Sequence, residues 1–209
     1  NFNTDNVTDM SYMFYGCKSL LTFNAFNFNS NQNVKKMNFM FYGCSSIRYL
    51  DLNNFITYNV DDMSNMFNGC ESLTTITLST NFNTSKVQNM SSMFCDCSSF
   101  ESLSLPQFNT QSVTDMSSMF KNCKKLDILG ISNFDTSNVK NMSSLFYGCS
   151  SIDYFNLNNF NTISVEKMDY MFSGCTNITY LNLNLNNFVT NNVLDMNNMF
   201  SNCVNLSNL

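Results

Sequence analysis

A chain of 209 residues with a net charge of −5, no histidine and only 12% charged side chains fits few functions that rest on ionic chemistry. Its negative balance argues against a nucleic-acid partner, because phosphate recognition needs clustered lysine and arginine. Without histidine it lacks the commonest general base and metal-binding imidazole, so neither enzymatic activity nor a cofactor or metal is expected.

The chain is a repeat array whose register is fixed by cysteine. Cys17, Cys44, Cys70, Cys97, Cys123, Cys149, Cys175 and Cys203 follow one another at steps of 27, 26, 27, 26, 26, 26 and 28. Eight rungs of about 26 residues therefore fill residues 1–209 as a single solenoid domain. Each rung carries a valine (Val7, Val34, Val60, Val87, Val113, Val139, Val165, Val193). Two methionine columns follow, Met10 and Met13 in the first rung; all 15 methionines fall in them, with Leu145 the one replacement. A phenylalanine comes next, then a glycine in five rungs (Gly16, Gly43, Gly69, Gly148, Gly174), then the cysteine. Asp96, Asn122 and Asn202 stand where that glycine is missing.

From valine to cysteine the apolar residues recur at roughly helical spacing. This predicts either a single helical turn closed by glycine or a short extended piece. After cysteine the spacing becomes strand-like, as in Ile47-Arg48-Tyr49-Leu50-Asp51-Leu52, so one short strand is predicted per rung. Phe26 and Phe28 make the first strand exit atypical. Length changes fall at Leu78 to Phe82, Leu183 to Phe188 and Phe28 to Val34, which marks those loops as the tolerant edge. One rung alone buries too little to offset the cost of ordering it, so stacking must hold the array together. Neither Asn1-Phe2 nor Leu206-Ser207-Asn208-Leu209 reads as a polar cap, which suggests a longer chain or end-to-end docking between copies.

The unit Asn-Phe-Asn/Asp-Thr-x-x-Val-x-x-Met-x-x-Met-Phe-x-Gly-Cys-x-x-Leu-x-x-Leu-x-Leu resembles the BspA-like leucine-rich-repeat surface proteins, in the form of the repeat frequent in mycoplasma lipoproteins and some protist surface proteins. The resemblance covers all eight rungs. It implies a leucine-rich-repeat-like solenoid used at the cell surface for adhesion or protein binding, with no catalytic residues to transfer.

Binding is expected on the strand face. The position before the second strand leucine reads Thr22, Tyr49, Thr75, Ser102, Ile128, Tyr154, Tyr180, and two residues on the column reads Asn24, Asp51, Thr77, Ser104, Gly130, Asn156, Asn182. Hydroxyls, amides and three tyrosines can grip a protein or glycan through many small contacts, or can simply be a solvated wall. Tyr49, Asp51, Tyr154 and Tyr180 are the candidate ligand-binding residues.

The cysteines space poorly for zinc, which wants ligands two to four residues apart. Stacked rungs would hold their Cβ atoms about 4.8 Å apart, wider than the roughly 3.8 Å of a disulfide. Free thiols acting as small apolar fillers in a structural ladder are expected, with Cys95, off the ladder, the most reactive. The column Asp9, Lys36, Asp62, Asn89, Asp115, Asn141, Lys167, Asp195 is read as alternating charge that helps register, with too few carboxylates for a calcium ladder. Six Asn-x-Ser/Thr sequons (Asn6, Asn83, Asn89, Asn141, Asn177, Asn205) are about what so asparagine-rich a chain produces by chance. No apolar run approaches a membrane span. The leading expectation is a non-enzymatic surface or extracellular scaffold; the alternative is an intracellular assembly subunit that stacks with other chains.

Overall fold

The computed structural model describes residues 2–25, 28–29 and 32–208. Phe26, on which the atypical first strand exit partly rests, lies outside them, as do Asn1, Leu209 and part of the Phe28 to Val34 loop. The strands are β1 (Phe2–Asn3), β2 (Thr22–Asn24), β3 (Phe28–Asn29), β4 (Tyr49–Asp51), β5 (Thr75–Thr77), β6 (Ser102–Ser104), β7 (Ile128–Gly130), β8 (Tyr154–Leu157) and β9 (Tyr180–Leu183). All pairing is parallel, as coils of one hand stacked along an axis require. The chain is a leucine-rich-repeat-like β-solenoid in which each strand sits one rung, 26 or 27 residues, from the next, as Tyr49 beside Thr75 and Tyr154 beside Tyr180.

The stretch from valine to cysteine contains no helix. Its apolar spacing imitates one, but two residues in every rung have left-handed backbone, which no α-helix tolerates. In the first rung these are Tyr12 (φ 61°) and Gly16 (φ 68°), and the pair recurs through Asn198 (φ 54°) and Asn202 (φ 60°). Each is the third residue of a tight turn, closed by Met13 N–H on Met10 O at 3.4 Å and by Cys17 N–H on Phe14 O at 3.1 Å. The alternation has a direct consequence: the amides of alternate residues point along the solenoid axis. Met10, Tyr12, Phe14 and Gly16 donate to the carbonyls of Lys36, Asn38, Met40 and Tyr42 at 2.7–3.1 Å. The same four bonds recur at every step up to Met168, Tyr170, Phe172 and Gly174 on the last rung. A column of single-residue parallel bridges, from Asp9–Lys36 to Lys167–Asp195, runs beside them without a break. Asp96, Asn122 and Asn202 replace glycine because Asp and Asn accept left-handed backbone better than other side chains.

Inside this ladder the phenylalanines stack ring on ring. Phe14, Phe41, Phe67, Phe94, Phe120, Phe146, Phe172 and Phe200 form one column with centroids 5.1–6.0 Å apart. Such spacing lies within the range of favourable ring pairs. The valine and methionine columns bury beside it in the inner rungs, while Met13 and Met196 of the outer rungs are exposed. Where the sequence predicts eight equivalent rungs, the structure encloses about six. Cys44, Cys70, Cys97, Cys123, Cys149 and Cys175 are fully buried, whereas Cys17 is exposed and Cys203 half-buried, since each outer rung has a neighbour on one side only.

A threonine column, missed in the sequence because threonine in Asn-Phe-Asn-Thr looks like a loop residue, is buried on the opposite corner. Thr57, Thr84, Thr110, Thr136 and Thr162 each donate a hydroxyl to a carbonyl one rung on, at 2.5–2.9 Å. Thr136 also accepts the Asn161 amide at 2.8 Å, so its oxygen serves two partners of the next coil. Thr136→Val keeps the shape and deletes both bonds. The substitution should cost about 1–3 kcal/mol, read as a lower urea midpoint; an unchanged midpoint would mean the column carries no load.

Candidate functional site

The strand face presents the outward column as a row of exposed side chains. Thr22, Tyr49, Thr75, Ser102, Ile128, Tyr154 and Tyr180 are all exposed and lie rung over rung. Alternation along each strand puts them outside while Phe23, Leu50, Leu103, Phe155 and Leu181 face the core. The four candidate residues do not form one site. Tyr154 and Tyr180 are neighbours, stacked at 5.9 Å with planes 8° apart. Asn182 donates to the Tyr154 hydroxyl at 3.0 Å and to Asn156 Oδ1 at 3.3 Å, which fixes that hydroxyl's orientation. Tyr49 and Asp51 stand on β4, with β5, β6 and β7 in between. There Asp51 Oδ1 accepts the Thr77 hydroxyl and the Asn53 amide, both at 3.0 Å.

Between these two patches lies a region that the sequence did not single out. A depression of about 510 Å³ is lined by Glu101, Ser102, Lys125, Asp127, Ile128 and Ser151. Ile128 is 65% exposed in a column otherwise filled by Thr, Ser and Tyr, and that oddity was the available signal. Two strand steps are also unpaired: the face divides into β2-β4-β5, β6-β7 and β8-β9. Ile76 on β5 and Leu129 on β7, core-facing by position, are half exposed beside these breaks.

The thiols are all free. Each one from Cys44 onward in the column donates its S–H to a phenylalanine carbonyl of the rung before, at 3.0–3.3 Å. The carbonyl of Phe120, for example, takes the Cys123 amide at 3.2 Å and the Cys149 thiol at 3.1 Å. Cys95 is not the reactive thiol the sequence suggests. It is 6% exposed, donates to Asp96 Oδ2 at 3.3 Å, and is pushed up to about 12 by burial and the adjacent carboxylate. Its thiolate is therefore scarce. Cys17 is the exposed thiol.

The acidic column acts locally. Asp9, Asp62, Asn89, Asp115, Asn141 and Asp195 each accept, on their side-chain oxygen, the amide two residues on, at 2.8–3.1 Å. These are Asx turns that launch the first left-handed turn; backbone bridges tie the same column rung to rung, and Lys36 on the next rung adds a smaller attraction at Asp9. Bonds from Ser11 hold the Asp9 carboxyl below its usual range. Among the described residues no three Cys, Asp or Glu side chains gather as a metal site, and no helix is long and apolar enough to cross a membrane. Of the sequons, Asn6, Asn177 and Asn205 are exposed, while Asn89 and Asn141 are committed to their Asx turns.

The profile of a family described as "Mycoplasma protein of unknown function, DUF285" matches residues 1–103, 35–129 and 101–209, which together span the sequence. The chain belongs to that family. No curated protein matches it. Among solved structures it is similar to a T. pallidum leucine-rich-repeat protein, at 20% identity and TM-score 0.48, over 96% of this chain and 72% of that one. A leucine-rich-repeat protein from Bacteroides ovatus is similar at 16% identity and TM-score 0.29, over 97% and 70%. A leucine-rich cell-surface protein from Faecalibacterium prausnitzii is similar at 16% identity and TM-score 0.24, over 90% and 80%.

Burial of the DUF285 thiols makes stability depend on alkaline pH. Desolvation raises Cys44 to about 11 and holds Cys97, Cys123 and Cys149 well above ordinary thiols. An unfolded thiol ionises near pH 8.5, so above that pH the unfolded chain binds fewer protons than the folded one. The thiol contribution is complete below that value and is lost as pH rises towards the folded values. Each of Cys97, Cys123 and Cys149 should remove up to about 1.4 kcal/mol per pH unit in that window. Urea midpoints should fall steadily from pH 8 to 10, less steeply in Cys149→Ala; a flat profile would show that the thiols ionise in place.

Proposed function

We propose that this DUF285 array is a non-enzymatic scaffold, displayed at the cell surface or outside it, that binds a protein partner through its strand face. One observation carries the reading: Tyr154 and Tyr180 stand exposed on the paired strands β8 and β9, stacked on each other and oriented by Asn182. Tyrosine supplies a large contact area with a polar tip and loses little freedom on binding, which suits recognition surfaces. Pre-stacking lowers the ordering cost further. The turn side offers a contrast: its backbone groups are spent on rung-to-rung bonds, so its contribution to binding rests on side chains alone.

Arrays of extracellular proteins and of glycans, probed side by side with the wild-type chain and with Tyr154→Ala/Tyr180→Ala, test the proposal. Wild type should bind at least one protein, and the double variant, with unchanged circular dichroism, should bind it at least tenfold more weakly. Lys86→Ala, away from the strand face, should bind normally. Binding confined to glycans would replace the protein partner by a carbohydrate one. Equal binding by wild type and the double variant would remove the strand face from the function.

A further inference from the structure

The break between β5 and β6 is a slot with the chemistry of a missing strand. Thr75 N–H donates to Arg48 O at 3.2 Å and Thr77 O accepts the Leu52 amide at 2.9 Å, so both residues of β5 are turned towards β4. In a parallel strand the backbone groups of successive residues face opposite edges. The amide and carbonyl of Ile76 therefore face β6. On the other wall, Ile128 N–H on Glu101 O and Leu105 N–H on Gly130 O, both 3.2 Å, turn residues 101 and 105 towards β7. Ser102 and Ser104 are thus turned towards β5. No backbone hydrogen bond joins the two edges, although the turn side of the same two rungs keeps its full set, including Phe67 N–H on Met93 O at 2.9 Å and Gly69 N–H on Cys95 O at 2.9 Å.

Hollows of about 350, 310 and 300 Å³ follow one another along the slot, from Thr74 and Ser99, past Ile76 and Leu103, to Thr77 and Gln107. Threonine and serine hydroxyls rim the walls, and half-buried Ile76 lies at the bottom over the buried Phe100 and Leu103. The sequence differs at this step. Asn133 Nδ2 reaches back one rung to Leu105 O, and Asn159 Nδ2 to Ile131 O, both at 3.2 Å. At the β5–β6 step the same position is Gln107, one methylene longer, and its Nε2 reaches Leu78 O at 3.3 Å. Every other rung has asparagine there. An extra residue lies between Leu78 and Phe82, and Pro106, which has no amide to donate, follows β6. At the β7–β8 break, by contrast, Asn159 closes the step at the ordinary reach.

We propose that the β5–β6 slot binds an extended peptide segment of a protein partner, taken up as an additional parallel strand. Two facing edges with free amides and carbonyls match a peptide backbone on both sides, and an apolar floor accepts its alternate side chains. Residues 74–78 give a wall about 16 Å long at roughly 3.3 Å per residue, enough for about five residues. A glycan would find the hydroxyl rim but would leave the backbone carbonyls and amides poorly matched. The proposal deepens the strand-face reading and rests on its protein partner, placing part of the contact in the slot rather than on Tyr154 and Tyr180.

The test uses a fluorescein-labelled peptide Glu-Ser-Leu-Ser-Leu, a copy of residues 101–105, titrated with the intact chain and read by anisotropy. Wild type should bind saturably. Ile76→Pro removes the slot-facing amide of β5 and leaves the Thr75 and Thr77 bonds to β4 intact, so it should weaken binding severalfold. Ser102→Pro does the same on the other wall, removing one slot-facing amide and leaving the bonds to β7 intact, and should weaken binding severalfold as well. Tyr154→Ala/Tyr180→Ala should bind the peptide normally. Absence of saturable peptide binding, or equal binding by wild type, Ile76→Pro and Ser102→Pro, overturns the slot proposal. It leaves the array result to judge the strand-face reading on its own.

Discussion

Everything in this chain depends on amides that point along the solenoid axis on the turn side. Four backbone bonds per step, at every step from Met10 to Gly174, tie each rung to the next. They exist because two residues per rung adopt left-handed backbone and turn alternate amides the same way. Left-handed backbone is costly for most side chains, by about 1–2 kcal/mol, and the sequence answers with Gly, Asn, Asp and Ser at most of these places. Tyr12, Phe39 and Tyr170 are bulky exceptions. Tyr12 and Phe39 stack at 4.9 Å, a contact that offsets part of the strain. The phenylalanine column and the thiol bonds follow from this fixed repeat, since identical side chains then fall one above another.

Because the turn side keeps its rung-to-rung bonds at every step, the strand side is free to vary. Its sheet is interrupted twice without disturbing the bridges opposite. In an array whose stability is a sum of neighbour contacts, a face can give up strand pairing locally and keep the stack intact. That division of labour leaves the strand side free for the recognition role proposed for it. It also explains why Ile76 and Leu78 are half exposed while Phe67, Cys70 and Leu73 of the same rung are buried.

Much of this was legible in the sequence, for a simple reason: burial repeats with the rung. The cysteine steps gave the register, the methionine and phenylalanine columns gave the core, and the alternation in Tyr49-Leu50-Asp51 gave the strand and its outward side. The valine-to-cysteine stretch was only half legible, since Val-x-x-Met-x-x-Met-Phe has the apolar spacing of a helix and side-chain pattern does not report the sign of φ. Asp96, Asn122 and Asn202 in place of glycine were the clue, being the residues that best tolerate left-handed backbone. The threonine column was hidden because its burial depends on a carbonyl one rung away. At the strand face, Tyr154 and Tyr180 were found as neighbours, but Tyr49 was grouped with them across three rungs. The spare residue before Phe82 was read only as a tolerant loop, and Gln107 for asparagine keeps the hydropathy of its column, so a pattern of burial passes over it.

Residue-resolved amide hydrogen exchange of the intact chain tests the central claim most directly. The account predicts that the turn-side amides of Phe41, Phe67, Phe94, Phe120 and Phe146 exchange slowly and at similar rates, through opening of the whole stack. It predicts that on the strand face Ile76, Ser102 and Ser104 exchange far faster than the paired Thr75 and Leu105. Turn-side amides that exchange faster than the strand-face ones, or equal protection of Ile76 and Thr75, would contradict it.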